Sequence, residues 1–265
     1  MQGRFITFEG GEGAGKSTQI ARLKTRLETL DLSIVITREP GGSPGAEKIR
    51  EMLLSGQAQD LGPRGEAMLF AAARADHVDT TILPALQRGD WVLCDRYADS
   101  TRVYQGEAGV DTTYLDLLET VAVAGVRPDL TILVDVPAEI GLARVSKRVE
   151  TTDATGPDRF EGEELAVHQR RRILFLDLAR RESHRFVVID GRVDSDGVEE
   201  KIWQAINRYF SEDFRADAAP ETQEMPDTPE SADSGSVTED PQAAEKGDRP
   251  TASGTTGEGD HGQSA

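Results

Sequence analysis

The sequence has 265 residues and a single cysteine, Cys94. One cysteine excludes an internal disulfide framework and fits a reducing compartment. No stretch approaches 18 consecutive apolar residues, so we expect no transmembrane helix and no membrane partner. The residues Met1–Arg4 lead directly into a strand-like run rather than into the apolar segment of a signal peptide. We therefore expect a soluble protein of the cytoplasm.

The sequence is also short of positive charge. It has 30 Lys and Arg residues against 48 Asp and Glu residues, a net charge of −18. Phosphate affinity of nucleic-acid-binding proteins comes from Lys and Arg, so this balance argues against binding to a nucleic acid polymer. The charge is unevenly spread, because residues 216–265 carry 12 acidic and 2 basic residues, a net charge of −10.

The same C-terminal segment lacks large apolar residues, apart from Met225 and Val237. A segment of this composition cannot bury enough apolar surface to offset the entropy lost on ordering. We therefore predict that residues 215–265 form a disordered acidic tail. Residues 1–214 are predicted to form one domain, which is long enough to build a hydrophobic core.

Five short apolar runs predict the strands of a parallel sheet. They are rich in β-branched or aromatic residues and largely apolar on both faces, as in strands covered by helices on both sides. The runs are Phe5–Phe8, Ile34–Ile36, Trp91–Cys94, Leu130–Val134 and Phe186–Ile189. Four of them are followed by an acidic residue, and open α/β sheets bind ligands at the carboxyl ends of their strands.

Helical patterns lie between these runs. The predicted helices are Gly15–Leu30, Gly65–Leu86, Thr112–Ala124, Ala138–Val149, Gly162–Glu182 and Gly197–Phe210. The second is expected to end or kink near Pro84. Strands alternating with helices predict an α/β fold with a five-stranded parallel sheet flanked by helices. The polar segment Thr151–Pro157 is predicted to be a mobile loop between two helices.

The segment Gly10–Ser17 matches the phosphate-binding pattern G-x-x-x-x-G-K-S/T, between the first predicted strand and the first predicted helix. Glycines let successive N–H groups point at a phosphate, and the helix N-terminus adds its positive end. Lys16 is expected to reach the β- and γ-phosphates of ATP, and Ser17 to place its hydroxyl on Mg²⁺. The candidate nucleotide-binding residues are Gly10, Gly11, Glu12, Gly13, Ala14, Gly15, Lys16, Ser17 and Thr18.

The motif identifies a nucleotide-binding fold but no reaction, because GTPases, motor ATPases and small-molecule kinases share it. The sequence has no Asn-Lys-x-Asp motif, which disfavours a GTPase, and 215 residues leave little room for a motor's extra elements. Glu12 is unusual, since a carboxylate beside a polyphosphate is electrostatically unfavourable. We expect it to point away, towards a hydroxyl donor or a second substrate; the alternative is a solvent-exposed loop glutamate.

A second polar segment, Leu93–Gln105, follows the third predicted strand. It contains acidic, basic, hydroxyl and tyrosine residues within a few positions of the strand. Arg96 stands at the strand's carboxyl end and suits a second phosphate group, because its guanidinium binds oxygens bidentately. The alternative is a surface ion pair between Asp95 and Arg96.

This second segment resembles the signature of bacterial thymidylate kinases, an Asp-Arg-Tyr followed by Ser, a small residue and an aromatic at fixed spacing. Three further segments resemble that family: the turn Thr37–Gly42, the base-reading helix at Phe70–Arg74, and Arg127–Leu130 ahead of the fourth strand. The resemblance extends from about residue 5 to residue 210. It implies a P-loop fold and transfer of the γ-phosphoryl group of ATP to dTMP, giving dTDP and ADP for dTTP biosynthesis.

The resemblance also implies roles for single residues. Arg96 would hold the dTMP phosphate with the support of Ser100, and Asp95 would help to place Mg²⁺. Phe70 would stack on the thymine ring, and Arg74 and Thr101 would hydrogen-bond its edge. Tyr104 would crowd the 2′ position of the sugar, and Glu12 would bind its 3′-hydroxyl. The implied substrate-binding residues are Glu12, Pro40, Phe70, Arg74, Arg96, Ser100, Thr101, Tyr104 and Gln105, and the implied metal-binding residues are Ser17 and Asp95.

In the same family a mobile lid closes over ATP. The lid corresponds here to about residues 144–160. Some members place a catalytic arginine in the phosphate-binding loop, where this sequence has glycine and alanine, so the lid must supply that cation. We expect Arg148 or Arg159 to join Lys16 and Arg96 as catalytic residues; the alternative is a solvated basic helix face. The family further implies a homodimer that packs through long helices, with residues 65–86 as a candidate.

Two other functions stay open from the sequence. One is another small P-loop kinase, such as a deoxynucleoside or adenylate kinase, and the other is an ATP-binding scaffold. The four histidines lack metal-ligand spacing, and we assign them no function. Cys94 is predicted to be a buried small apolar residue.

Overall fold

The computed structural model describes residues 2–151 and 159–216. Its sheet contains β1 (Phe5–Glu9), β2 (Ile34–Arg38), β3 (Trp91–Asp95), β4 (Leu130–Asp135) and β5 (Phe186–Asp190). All neighbouring strands are parallel, in the order β2-β3-β1-β4-β5. Every predicted apolar run lies inside an observed strand, so the five-stranded parallel sheet is confirmed.

Ten α-helices occur in the described residues. They are α1 (Lys16–Glu28), α2 (Pro44–Leu54), α3 (Gly62–His77), α4 (Leu83–Gln87), α5 (Ala98–Glu107), α6 (Thr112–Val123), α7 (Ala138–Thr151), α8 (Leu165–Arg181), α9 (Ser195–Tyr209) and α10 (Ser211–Ala216). The six predicted helical stretches correspond to α1, to α3 with α4, and to α6, α7, α8 and α9. The predicted loop residues 152–158 and the predicted tail from residue 217 onward lie outside the described residues.

Sequence reasoning did not predict α2, α5 and α10. The start of α2 does carry a sequence signal, because Ser43 caps the helix by accepting a hydrogen bond from the Ala46 N–H, and Pro44 is its first residue. The start of α5 has no side-chain cap, and its buried residues include the polar Asp99 and Gln105. An apolar period of 3.6 residues is therefore hidden in α5.

The long helix predicted at residues 65–86 is interrupted before Pro84. Regular α-helix ends at His77, and a wider π-helical turn spans Val78–Ile82 before α4 begins. A proline lacks the N–H of the helical hydrogen bond and its ring collides with the carbonyl four residues earlier. That carbonyl belongs to Thr80, inside the wider turn, which explains why the helix changes there.

Alternate strand residues point to opposite faces of the sheet. Ile6 and Phe8 of β1 lie in a buried cluster with residues of α1 and α9. Phe5 lies in a second cluster on the other face, together with Cys94, which is fully buried as predicted. No helix among residues 2–151 and 159–216 is long and apolar enough to cross a membrane.

Candidate active site

The carboxyl ends of β1, β2 and β3 lie side by side at one edge of the sheet, where Asp95 pairs with Phe8 on one side and with Arg38 on the other. A cavity of about 430 Å³ opens here. Its walls come from the segments that follow these three strands and from α2, α3 and α7. This is the position at which open α/β sheets bind ligands.

Most of the site residues predicted from the sequence line this cavity. They are Glu12, Gly13, Ala14, Gly15, Lys16, Ser17, Thr18, Pro40, Phe70, Arg74, Asp95, Arg96, Ser100, Thr101, Tyr104, Gln105 and Arg148. Gly10, Gly11 and Arg159 are not part of the lining. Arg159 instead pairs with Glu66 on α3 and lies 4.9 Å from the ring centroid of Phe160.

The loop between β1 and α1 has the backbone of a phosphate-binding loop. Gly10 and Gly13 adopt φ values of 137° and 66°, in the region that favours glycine. Lys16 is the first residue of α1, and its Nζ donates to the carbonyl oxygens of Gly10 and Gly11, at 3.2 Å each. These bonds fold the lysine back over the loop. Burial and the nearby charge of Arg96 lower the pKa of Lys16.

Ser17 and Asp95 join the phosphate-binding loop to the end of β3. Ser17 Oγ donates to Asp95 Oδ2 at 2.6 Å. Two oxygen donors beside a phosphate-binding loop fit Mg²⁺, which kinase sites hold through one or two carboxylates together with substrate phosphates. Within residues 2–151 and 159–216, no group of three or more His, Cys, Asp or Glu side chains is placed to hold a metal ion. Ser17 and Asp95 would supply two oxygen ligands, which fits an ion that also binds nucleotide phosphates.

The guanidinium of Arg96 is held by two side chains. One terminal nitrogen donates to Glu12 Oε1 at 2.8 Å, and the other donates to Ser100 Oγ at 3.1 Å. Tyr104 Oη donates to the same Glu12 oxygen at 2.6 Å. The ion pair of Arg96 is thus with Glu12 and not with Asp95. Its guanidinium is held in place at the cavity wall.

Glu12 is not a solvent-exposed loop residue, since its side chain exposes only 16% of its surface. Burial raises the pKa of Glu12, but the charges of Arg96 and Lys16 and the hydrogen bond from Tyr104 outweigh burial and lower the pKa to about 2. The carboxylate is therefore ionised at neutral pH. It accepts hydrogen bonds from Arg96, which the sequence did not indicate, and from the Tyr104 hydroxyl.

Arg74 on α3 is buried, and its guanidinium is fixed at two points. Nε donates to Glu39 Oε2 at 2.8 Å, and a terminal nitrogen donates to Thr101 Oγ1 at 3.0 Å. Glu39 Oε1 also lies 3.0 Å from His77 Nδ1. Arg74 and Thr101 are therefore held together in the cavity wall, where both can hydrogen-bond a polar ligand.

Four aromatic residues line the cavity: Phe70, Tyr97, Tyr104 and Phe160. The ring centroid of Phe160 lies 6.2 Å from that of Phe70 and 5.7 Å from that of Tyr104. Aromatic faces of this kind suit a flat ring as ligand. Sequence reasoning missed Phe160, although its position directly after the polar loop of the proposed lid could have marked it.

The helix α7 brings two arginines to the cavity. Arg144 donates to the Gly191 carbonyl at 3.2 Å, and Arg148 pairs with Glu161 at 2.6 Å. Of the two predicted lid cations, Arg148 thus lines the cavity. Arg159 does not, and it forms an ion pair with Glu66.

Comparison with known proteins shows the family. The sequence model described as thymidylate kinase matches residues 8–202. The thymidylate kinase of Nitrobacter winogradskyi is 51% identical over 208 residues, which cover 78% of this chain and 89% of that protein. The chain belongs to the thymidylate kinase family. Thymidylate kinases of Rhodopseudomonas palustris (51% identical over 220 residues, 82% of this chain and 94% of that protein) and Bradyrhizobium diazoefficiens (52% over 206 residues, 77% and 89%) are similarly related.

This result confirms the family resemblance drawn from the sequence and the P-loop fold that it implied. Arg50 also lines the cavity. Sequence reasoning missed this residue. Arg50 lies on α2, and its guanidinium donates to the Pro40 carbonyl at 2.6 Å. The Ser43-Pro44 helix start could have revealed it, because a helix beginning there carries Arg50 back beside the turn after β2.

Proposed function

We propose that this thymidylate kinase holds ATP on the loop Gly10–Thr18 and dTMP in the adjoining part of the cavity. It transfers the γ-phosphoryl group of ATP to the phosphate of dTMP, giving ADP and dTDP. The observation that carries this proposal is the placement of Lys16 and Arg96, two phosphate-binding cations, on the wall of one cavity. Phosphoryl transfer depends on alignment and charge neutralisation more than on covalent chemistry.

On the ATP side, the N–H groups of the loop and Lys16 would bind the β- and γ-phosphates. Lys16 already lies over the loop, and exchanges its carbonyl partners for phosphate oxygens when ATP binds. Ser17 and Asp95 would hold Mg²⁺. The bound ion would neutralise charge on the phosphate oxygens.

On the dTMP side, Arg96 would hold the phosphate, supported by Ser100, and Glu12 would accept a hydrogen bond from the sugar 3′-hydroxyl. Tyr104 would fill the space that a 2′-hydroxyl needs. The ionised state of Glu12 and its hydrogen bond from Tyr104 support these two roles.

The thymine ring would lie against Phe70, with Arg74 and Thr101 at its polar edge and Pro40 completing the wall. Gln105 supports this placement. Its side chain is buried at the cavity, and its Oε1 has no hydrogen-bond partner among the described residues. An unpaired buried acceptor is costly, and a donor on the substrate would satisfy it.

We propose that residues 144–160 act as the lid and that Arg148 or Arg159 supplies the cation that stabilises the transferring phosphoryl group. The position of Arg148 on the cavity supports Arg148. Arg159 would first have to leave Glu66. Replacing each arginine with lysine separates the two, because the catalytic one loses kcat with little change in the KM for dTMP.

The activity is tested by measuring ADP release with dTMP, dUMP, AMP and thymidine as acceptors. We expect dTMP to give the highest kcat/KM, since AMP lacks the thymine edge and thymidine lacks the phosphate. A tenfold preference for AMP or thymidine would favour another small P-loop kinase and overturn the assignment.

An ATP-binding scaffold is distinguished by the variant Lys16→Ala. In a kinase this substitution removes the main protein contact to the β- and γ-phosphates, and we expect kcat to fall by about a hundredfold or more. The melting temperature should change little, because the hydrogen bonds of Lys16 within the described residues go to loop carbonyls that water can serve. Full retention of transfer would show that the proposed site is wrong.

We further propose a homodimer that packs through α3 and α6. These helices contact one another, and both carry exposed apolar side chains, including Met68 on α3 and Leu117 and Val121 on α6. A cytoplasmic location and a catalytic domain of residues 1–214 followed by an acidic tail complete the proposal.

A further inference from the structure

Glu9, the last residue of β1, is a buried carboxylate that the roles above leave unused. Its exposed surface is 0%. Oε1 accepts a hydrogen bond from the Tyr97 N–H at 2.8 Å, and Oε2 accepts one from Ser100 Oγ at 2.6 Å. Both partners belong to the segment that follows β3 and carries Arg96. Because a buried charge is costly, a carboxylate at this position needs these two donors.

Arg96 has an unusual backbone. Its φ is 69°, a left-handed conformation that is strained for a non-glycine residue. Two hydrogen bonds from successive residues hold it. The Arg96 N–H donates to the Phe8 carbonyl at 2.9 Å, and the Tyr97 N–H donates to Glu9. The end of β1 therefore fixes the peptide groups on both sides of the strained residue.

Ser100 connects Glu9 to the Arg96 side chain as well. A serine hydroxyl has one hydrogen to donate. Ser100 gives that hydrogen to Glu9 Oε2, so its lone pairs are left to accept from the Arg96 guanidinium at 3.1 Å. A carboxylate can accept from both Tyr97 and Ser100, whereas an amide has a single acceptor oxygen and must lose one of the two bonds.

We propose that Glu9 is a positioning residue for the transfer reaction, which fixes the left-handed backbone of Arg96 through Tyr97 and aims its guanidinium through Ser100. This inference rests on the proposed role of Arg96 as the ligand of the dTMP phosphate. Charged groups also approach Glu9 from the other elements, namely Asp99 on α5 and Lys16 on α1. Burial, with the nearby Asp99 charge, raises the pKa of Glu9 to about 7.

The test compares Glu9→Gln with a matched control, Glu119→Gln. Glu119 is also a buried carboxylate, but it lies on α6 and pairs with Arg102 and Arg127 away from the cavity. We expect Glu9→Gln to raise the KM for dTMP at least tenfold and to weaken dTMP binding in calorimetry by the same factor. Thymidine, which lacks the phosphate, should bind within twofold of the unaltered protein, and Glu119→Gln should leave the KM for dTMP within twofold.

Arg96→Ala separates this inference from the proposed function. If Arg96→Ala leaves dTMP binding unchanged, the proposed site itself is wrong. If Arg96→Ala weakens dTMP binding more than tenfold and folded Glu9→Gln changes it less than twofold, only the role of Glu9 is overturned. Equal losses of dTMP and thymidine binding in Glu9→Gln would also overturn it, because they would indicate a general structural role.

Ser100→Ala provides a second variant in case Glu9→Gln fails to fold. It removes the link to the guanidinium and keeps the bond between Glu9 and Tyr97. We expect a several-fold rise in the KM for dTMP with a melting temperature close to that of the unaltered protein. A KM within twofold would overturn the proposal that Glu9 acts through Ser100. Where both variants fold, the double variant should lose less than the product of the two single losses, since the residues act in one chain.

Discussion

Glu12 is a carboxylate inside a phosphate-binding loop, and its neighbours keep it charged there. Its folded pKa of about 2 lies below the ordinary value of 4.5, so the folded state binds fewer protons than the unfolded state. The resulting stabilisation is fully present above about pH 4.5 and is lost as the pH falls towards 2. At the scale of a single residue, charge pairing with Arg96 and Lys16 therefore contributes to the stability of the fold.

We expect Glu12→Gln to have a lower melting temperature than the unaltered protein at pH 6 and a gap that shrinks as the pH falls from 4.5 towards 2. The amide has no charge for Arg96, so the variant lacks the pH-dependent part. Thermal unfolding followed by circular dichroism at pH 6, 4 and 3 measures the gap. Glu28→Gln, which alters an exposed carboxylate paired with Lys24, is the control. A gap for Glu12→Gln that is constant across this range would contradict the assigned ion pair.

The proposed role of Glu12 in binding the sugar also gives a prediction about substrate preference. If Glu12 binds the 3′-hydroxyl, the unaltered enzyme should prefer dTMP to its 3′-deoxy analogue, and Glu12→Ala should lose most of that preference. The expected factor is about tenfold or more, the worth of a hydrogen bond to a charged group. Steady-state kcat/KM values for the two acceptors measure it. An unchanged preference in the variant would show that the 3′-hydroxyl is bound elsewhere.

At the scale of secondary-structure elements, the backbone of the phosphate-binding loop packs directly against the backbone at the start of α7. A Cβ placed on Gly141 of α7 would lie 2.2 Å from the carbonyl oxygen of Glu12, and one on Gly13 would lie 2.0 Å from the carbonyl oxygen of Gly141. These distances are shorter than any real contact. The helix that carries Arg144 and Arg148 is therefore seated directly on the loop, and its position sets theirs.

We expect Gly141→Ala to push the loop and α7 apart, raising the KM for ATP about tenfold and lowering the melting temperature. In an ordinary helix the same change stabilises by about 0.5–1 kcal/mol. Gly106→Ala in α5 is the matched control, because a Cβ there meets only Leu115 Cδ1 at 3.9 Å. If both variants have the same KM for ATP and the same melting temperature, the contact between Gly141 and the phosphate-binding loop does not affect ATP binding.

At the scale of the whole molecule, the described part of the chain ends on an aromatic contact. Phe214 lies 5.7 Å from the Trp91 ring centroid and 6.0 Å from that of Trp203. Asp213 pairs with Arg4 at 2.7 Å. Asp213 and Phe214 of α10 therefore pack on the core of the domain. The domain boundary at residue 214 stays a prediction.

Two truncations test that boundary. A chain ending at Phe214 should keep kcat and both KM values within about twofold, because the segment beyond it has too few apolar residues to pack on the site. A chain ending at Phe210 loses the Phe214 ring and should be less stable by about 1–3 kcal/mol in urea unfolding. A tenfold loss of kcat/KM in the chain that ends at Phe214 would show that the acidic segment takes part in function.

The proposed dimer gives a further whole-molecule prediction. Val121 is 73% exposed on α6, so Val121→Asp should not disturb the fold of a protomer, yet it would place a charge in an apolar interface. We expect the variant to elute as a monomer, with its mass read by light scattering. Ile173→Asp, an equally drastic change at a 57% exposed site on α8, is the control. An unaltered protein that is monomeric at all concentrations would contradict the dimer.

The sequence by itself determined the strands, most of the helices and the phosphate-binding loop. Each depends on a pattern within about 20 neighbouring residues, such as an apolar run, a helical period or the glycine spacing of Gly10–Ser17. The family followed from four such segments. Where a local pattern was weak, as in the polar helix α5, or passed over, as at the Ser43-Pro44 start of α2, the element was missed.

Only the tertiary structure decided which side chains act together. Arg96 binds Glu12, 84 positions away, and Arg74 binds Glu39, 35 positions away. These pairs exist because parallel pairing sets the ends of β1, β2 and β3 next to each other, and no local pattern encodes that distance. The same pairing brings Glu9 under the strained backbone of Arg96, a relation that the sequence alone does not reveal.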